Sequence, residues 1–235
     1  MEAVFAMVWR IIFDLDDTLL QTGQYYNRQL ELFTAKVVDH FEQASNQQEV
    51  LSKYFEIDSR AIEKYGYDKA HFPEAMARTW EFYCQQNGHE LREEDLEECR
   101  EIGWEVYSTV PEPIPGMEEV LQKLKPEYEL ILYTMGDSEI QFEKIRHHNL
   151  ARWFGEIHVV PLKEKKYLEQ IVSPYPPEET MIVGDSLRGE IKPALELGVK
   201  PIHRKSNFPW GFHEVEVNDD FPQIRELTEL FDLLP

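Results

Sequence analysis

The chain has 235 residues, enough to bury a sizeable core in one large or two modest domains. Its 24 Lys and Arg against 45 Asp and Glu leave a formal charge of -21. That excess of acid argues against nucleic acid or an anionic membrane as partner, because both need a basic face to displace counterions, and any anionic substrate must be drawn in by local cations. Residues 3–9 are apolar but too few to span a bilayer, and no basic segment precedes them. Cys84 and Cys99 match no metal motif and read as two reduced thiols of a cytoplasmic protein.

In chain order, the first predicted element is a buried strand over residues 8–13, an apolar run that stops abruptly at Asp14, Leu15, Asp16 and Asp17. The period of two puts Asp14 and Asp16 on one face at the strand's C-terminal end, where open parallel sheets place their ligands. Two carboxylates held that close repel each other unless a divalent cation or a shared proton intervenes. Asp17 falls on the other face or in the turn and reads as local hydrogen bonding.

From Asp16 to the next comparable strand end, Thr134, is 118 positions, whereas a strand-helix-strand crossover needs about 30 residues. The surplus reads as a helical insertion. Tyr26, Leu30, Phe33, Val37 and Phe41 form one amphipathic stripe. Asn46 with Glu49 resembles a capping pair opening a second helix that stops near Gly66. Residues 71–87 make a third helix ending at Gly88, residues 92–108 a fourth, and Pro111, Pro113 and Pro115 close the insertion stiffly.

Residues 128–134 are the next strand, ending in Thr134 and followed by Met135, Gly136 and Asp137. Asp137 is placed to cap a helix patterned by Ile140, Phe142, Ile145 and His148. His147 and His148 have no partner at metal-ligand spacing. A strand over 156–160 leads into Lys163, Lys165 and Lys166, of which only one needs to point inward. A strand over 180–185 ends in Gly184 and Asp185, with Ser186 next and Glu190 a turn on; Arg188 reads as a surface residue. Phe208 to Phe212 reads as an irregular loop in which Trp210 serves packing or lines the site, and residues 224–234 as a terminal helix. If the four strands are parallel neighbours, one sheet edge collects two aspartates, a threonine, a lysine and an acid pair. Such a set would hold Mg2+ and a phosphoryl group together.

These residues carry a resemblance to the phosphatases of the haloacid dehalogenase superfamily. Asp14, Asp16 and Thr18 match its Asp-x-Asp-x-Thr motif, Thr134 its second, Lys163 or Lys165 its third, and Gly184, Asp185 and Ser186 with Glu190 its fourth. Family members more often carry Asp where this chain has Glu190. The resemblance implies a Rossmann-like α/β core, a parallel sheet sandwiched by helices, over residues 1–20 and 110–235, with an α-helical cap over 21–109. It further implies a Mg2+-dependent phosphatase acting on a small phosphorylated metabolite. Asp14 would be the nucleophile and Asp16 the acid and base, with Mg2+ on Asp14, the Asp16 main-chain carbonyl and Asp185. Thr134, the backbone amides near Met135 and Gly136, and Lys163 would hold the phosphate. A phosphomutase, a haloacid dehalogenase and a non-catalytic Mg2+- and phosphate-binding regulator share parts of this set. The substrate and the oligomeric state are not legible; Tyr25, Tyr26, Arg28 and Trp80 in the insertion are as ordinary as they are selective.

Overall fold

In a computed structural model the structure describes residues 9–42, 44, 46–208, 215–218 and 220–235, with side chains omitted at 64 and 65. Trp210 and the start of the first predicted strand lie outside the described residues. The chain forms two compact units, one of residues up to Thr22 and from Glu112 onward, the other Gly23–Pro111.

The first unit is built on a six-stranded parallel sheet. Its strands are β1 (Arg10–Phe13), β2 (Glu129–Met135), β3 (Glu156–Val160), β4 (Thr180–Gly184), β5 (Lys200–Arg204) and β6 (Gln223–Ile224), in the order β3-β2-β1-β4-β5-β6. Helices cover both faces, which is why the central strands read as unbroken apolar runs rather than as alternation. On one face Ile11, Phe13, Leu130, Leu132, Met181 and Val183 pack against Met117, Val120, Leu121 and Leu124 of the helix Met117–Leu124 and against Leu227 and Leu230. On the other, Ile12, Ile131, Tyr133 and Ile182 meet Leu168, Ile171 and Val172 of the helix Lys165–Val172 and Ala194 of Lys192–Leu197. Adjacent residues of one strand thus serve two separate cores.

The second unit holds four helices: α1 (Gly23–His40), α2 (Gln47–Tyr65), α3 (His71–Asn87) and α4 (Glu93–Trp104), the last continued by a 3-10 turn over Glu105–Ser108. Asn46 caps α2 by accepting from the Glu49 amide at 3.0 Å, and Gly66 and Gly88 end α2 and α3 at positive φ. Leu30, Phe33, Val37 and Phe41 of the α1 stripe are buried. Phe41 meets Trp80 at 4.7 Å between ring centroids and Phe33 meets Tyr54 at 6.2 Å. Among the described residues no helix is long and apolar enough to cross a membrane.

Two expectations need correction. The expected terminal helix is instead the two-residue strand β6, parallel to β5, followed by a 3-10 helix over Leu227–Asp232. On the helix after β2, here α6 (Ser138–His147, with α5 being Met117–Leu124), Phe142 is 42% exposed while Gln141 and Lys144 are buried. The inward face of α6 is polar.

Candidate functional site

Strand register decides what meets at the carboxyl edge. Phe13 lies level with Leu132 of β2 and Val183 of β4, and the Asp14 amide donates to the Val183 carbonyl at 3.0 Å. Asp14 therefore leaves the sheet between Thr134 and Asp185, both buried, while β3 brings the chain to Lys163. The turn after Asp16 is tight. Asp17 takes φ 54°, an uncommon value for a residue with a Cβ, and its amide donates to the Leu20 carbonyl at 2.7 Å.

Within the lysine run, Lys163 is the member that reaches Asp14. Its ammonium, buried, donates to Asp14 Oδ1 and to Glu190 Oε1, the latter at 2.5 Å. Burial alone would pull that ammonium down, but the two carboxylates outweigh it and hold it above the ordinary lysine range. Lys165 instead lies on the surface, 2.9 Å from Glu196. Glu190, fully buried, also accepts from the Ser186 amide at 2.7 Å. It sits so close to β4 that a Cβ on Gly184 would come within 2.5 Å of its Cγ, so only glycine fits at 184.

The Asp14 carboxyl is pushed up to about 6, first by burial and then, against the pull of Lys163, by the charges of Glu190 and Asp16. Asp185 is raised well above the usual range by burial and by Asp14. Asp16 moves the other way. Burial works to raise it, yet the Lys144 ammonium, with hydrogen bonds from Lys144, Thr22 and Gln141, holds it below its ordinary value. Those bonds are Lys144 Nζ to Oδ1 at 2.7 Å, Thr22 Oγ1 to Oδ1 at 2.5 Å and Gln141 Nε2 to Oδ2 at 2.7 Å.

Sequence reasoning missed Thr22, Gln141, Lys144 and Arg204. Gln141 and Lys144 were legible only as the polar members of an i, i+3, i+4 face with Ile145. Arg204, at the end of β5, is buried and donates to the Asp17 carbonyl, and His203 Nε2 lies 2.9 Å from the Asp185 carbonyl. The Gly136 amide, expected to face a phosphate, donates to the Val160 carbonyl at 3.0 Å and completes the β2–β3 ladder. Met135 gives its carbonyl to Gln141, and Asp137 caps α6 by accepting from the amides of Glu139 and Ile140. Cys84 and Cys99 are buried and unbridged. Among the described residues no group of three or more His, Cys, Asp or Glu side chains could by itself hold a metal ion.

The site gathers four carboxylates (Asp14, Asp16, Asp185 and Glu190) against three cations (Lys144, Lys163 and Arg204). Fold and site together define a Rossmann-like α/β core whose first strand delivers two carboxylates to a topological switch point, β1 lying between β2 and β4. The haloacid dehalogenase-like hydrolase family model matches residues 11–203, and the chain belongs to that family. Among curated proteins, the Bacillus subtilis (strain 168) HAD-hydrolase YfnB is 26% identical over 129 residues, 52% of this chain and 54% of YfnB; the chain matches about half the length of that relative. A structure of YfnB bound to magnesium has a TM-score of 0.65 at 21% identity, covering 97% of this chain and 99% of that one. A haloacid dehalogenase-like family hydrolase from Xanthomonas campestris gives 0.71 at 23% identity, covering 95% and 92%. The L-2-haloacid dehalogenase of Xanthobacter autotrophicus gives 0.60 at 14% identity, covering 97% and 98%.

Proposed function

We propose that the protein is a Mg2+-dependent phosphatase that hydrolyses a small phosphorylated metabolite through an aspartyl-phosphate on Asp14. The observation that carries this reading is Asp16, a second carboxylate on the same strand end, held by three donors beside the nucleophile. Displacing halide needs one carboxylate and no proton; releasing an alkoxide needs an acid.

The donor set fits the metal. Asp14 and Asp185 are hard oxygen donors that burial and mutual repulsion leave short of positive charge, and an arriving phosphate dianion would deepen the deficit of a site that already has four carboxylates for three cations. Asp14, Asp185 and the Asp16 main-chain carbonyl would hold Mg2+. When bound, the ion supplies the positive charge that lets a carboxylate approach a phosphate.

The remaining work falls to the chain. Lys163 and the Thr134 hydroxyl hold phosphate oxygens in line with Asp14. An Asp14 oxygen forms a bond to phosphorus as the ester oxygen-phosphorus bond breaks, and Asp16, ionised in the free site, takes the proton carried by the incoming monoester monoanion and passes it to the departing alkoxide. Asp16, ionised again, takes a proton from water as that water attacks the aspartyl-phosphate, releasing phosphate and restoring Asp14. Glu190 keeps Lys163 in place through Oε1 and the 184–186 turn through Oε2.

The test is a panel of phosphorylated metabolites and of 2-haloacids offered to purified protein with Mg2+ and with excess EDTA. Phosphate release that needs Mg2+ is expected. Halide release without metal, or full phosphatase activity in EDTA, would overturn the reading.

A further inference from the structure

We infer that Gln141 and Lys144 are positioning residues for Asp16, and that its proton transfer runs through Oδ2. The inference rests on the phosphatase reading and adds two residues and one atom to it. Asp137 fixes the start of α6 directly after β2, so positions 141 and 144, one turn apart, face the same way. Both side chains are buried, where an amide and an ammonium cost free energy unless they are bonded. Leucine or methionine would pack there without that cost.

Both donate to Asp16. An ionised carboxylate offers about four acceptor positions. Lys144 and Thr22 fill those of Oδ1, and Gln141 takes one on Oδ2, which leaves the second position of Oδ2 to carry a proton. Gln141 Nε2 also lies 2.7 Å from Thr134 Oγ1 and 2.7 Å from the Met135 carbonyl, three acceptors for two hydrogens. Meanwhile Gln141 Oε1 is buried with no hydrogen-bond partner among the described residues. Turning the amide over would set Oε1 against Asp16 Oδ2, so the orientation is kept although it leaves that acceptor unsatisfied. Gly136, just after the strand, has φ 132°, a backbone conformation that residues with a Cβ rarely adopt.

The experiment measures kcat and KM of Gln141→Leu, Lys144→Met and Lys144→Arg, with Mg2+, on an alkyl phosphate and on p-nitrophenyl phosphate. For Lys144→Met and Gln141→Leu we expect kcat on the alkyl ester to fall on the order of 10²-fold, with at least tenfold less loss on the nitrophenyl ester, whose leaving group needs no proton. KM should stay within about twofold, and Lys144→Arg should recover part of the rate. Equal losses on both esters would mean that the two residues only support the fold, and would overturn the inference. Gln141→Leu keeps the shape and carries the test should Lys144→Met fail to fold. In an Asp16→Asn background, Gln141→Leu should cost nothing further on the alkyl ester; additive losses would overturn the inference as well. A wild-type protein inactive on every phosphate ester removes the phosphatase reading and this one with it, whereas an active wild type with equal losses removes this one alone.

Discussion

At the carboxyl edge of the sheet, four carboxylates and three cations share a small volume in which all but the half-buried Asp16 are buried, whereas the interior of the helical unit is filled by Phe33, Phe41, Tyr54, Phe72 and Trp80, with Asp58 and His71, 2.9 Å apart, as an ionisable pair. Aromatic burial stabilises wherever it is placed. Buried charge stabilises only when every member has its partner, so at the sheet edge each residue depends on its neighbours, and removing one is felt by the rest. The substitutions below separate these two kinds of interior.

The largest effect belongs to Asp14→Asn, which should lower turnover by more than a hundredfold while far-UV circular dichroism stays unchanged, because an amide is a poor nucleophile. More than a few per cent of wild-type rate, with deamidation excluded by mass spectrometry, would break the assignment. Next comes Lys163→Met, which strands Asp14 and Glu190 without their shared counter-ion. A loss of about 3–5 kcal/mol in denaturant unfolding is expected together with loss of activity. In the helical unit Trp80→Ala should cost a similar 3–5 kcal/mol by cavity formation, but with no dependence on pH. Equal behaviour of Lys163→Met and Trp80→Ala across pH would erase the contrast between charge and packing.

The pH dependence itself is the next measurement. The Asp14 carboxyl lies near 6 in the fold against 3.8 when unfolded, so between those values the native state binds more protons than the unfolded one. Stability of the metal-free protein should therefore decline as pH rises from about 4 through about 6, by about 3 kcal/mol from a shift of this size. Added Mg2+ should flatten the slope. A metal-free protein that gains stability across the same window would show that Lys163 outweighs burial at Asp14. The smallest effect is expected of Lys165→Ala, within about 0.5 kcal/mol and with rate unchanged, since its ion pair with Glu196 lies at the surface.

Much of the sheet was legible because its central strands are covered on both faces, so that β1 and β4 read as apolar runs that end in aspartate. The helices of the insertion were legible from the α1 stripe, the Asn46 cap and the glycines at 66 and 88. What escaped has a common cause. Gln141 and Lys144 occupy inward positions that an apolar pattern assigns to Phe142, because hydrogen bonds to Asp16, 125 and 128 residues away in the chain, replace the burial of carbon. Strand β5 hides part of its role in the same way: Ile202 joins a core, but His203 and Arg204 serve the Asp185 carbonyl and the turn at Asp17.

The contact between Lys163 and Asp14 spans 149 residues, and β1, although early in the chain, takes its place only between β2 and β4. No local stretch of the polypeptide can assemble Asp14 with its counter-ion. Closing loops of that length is slow, and the loss of chain entropy precedes any reward from the contacts that follow. Enzymatic activity should consequently appear late and all at once during refolding, after helical signal has returned, making turnover a stringent clock for completion of the sheet.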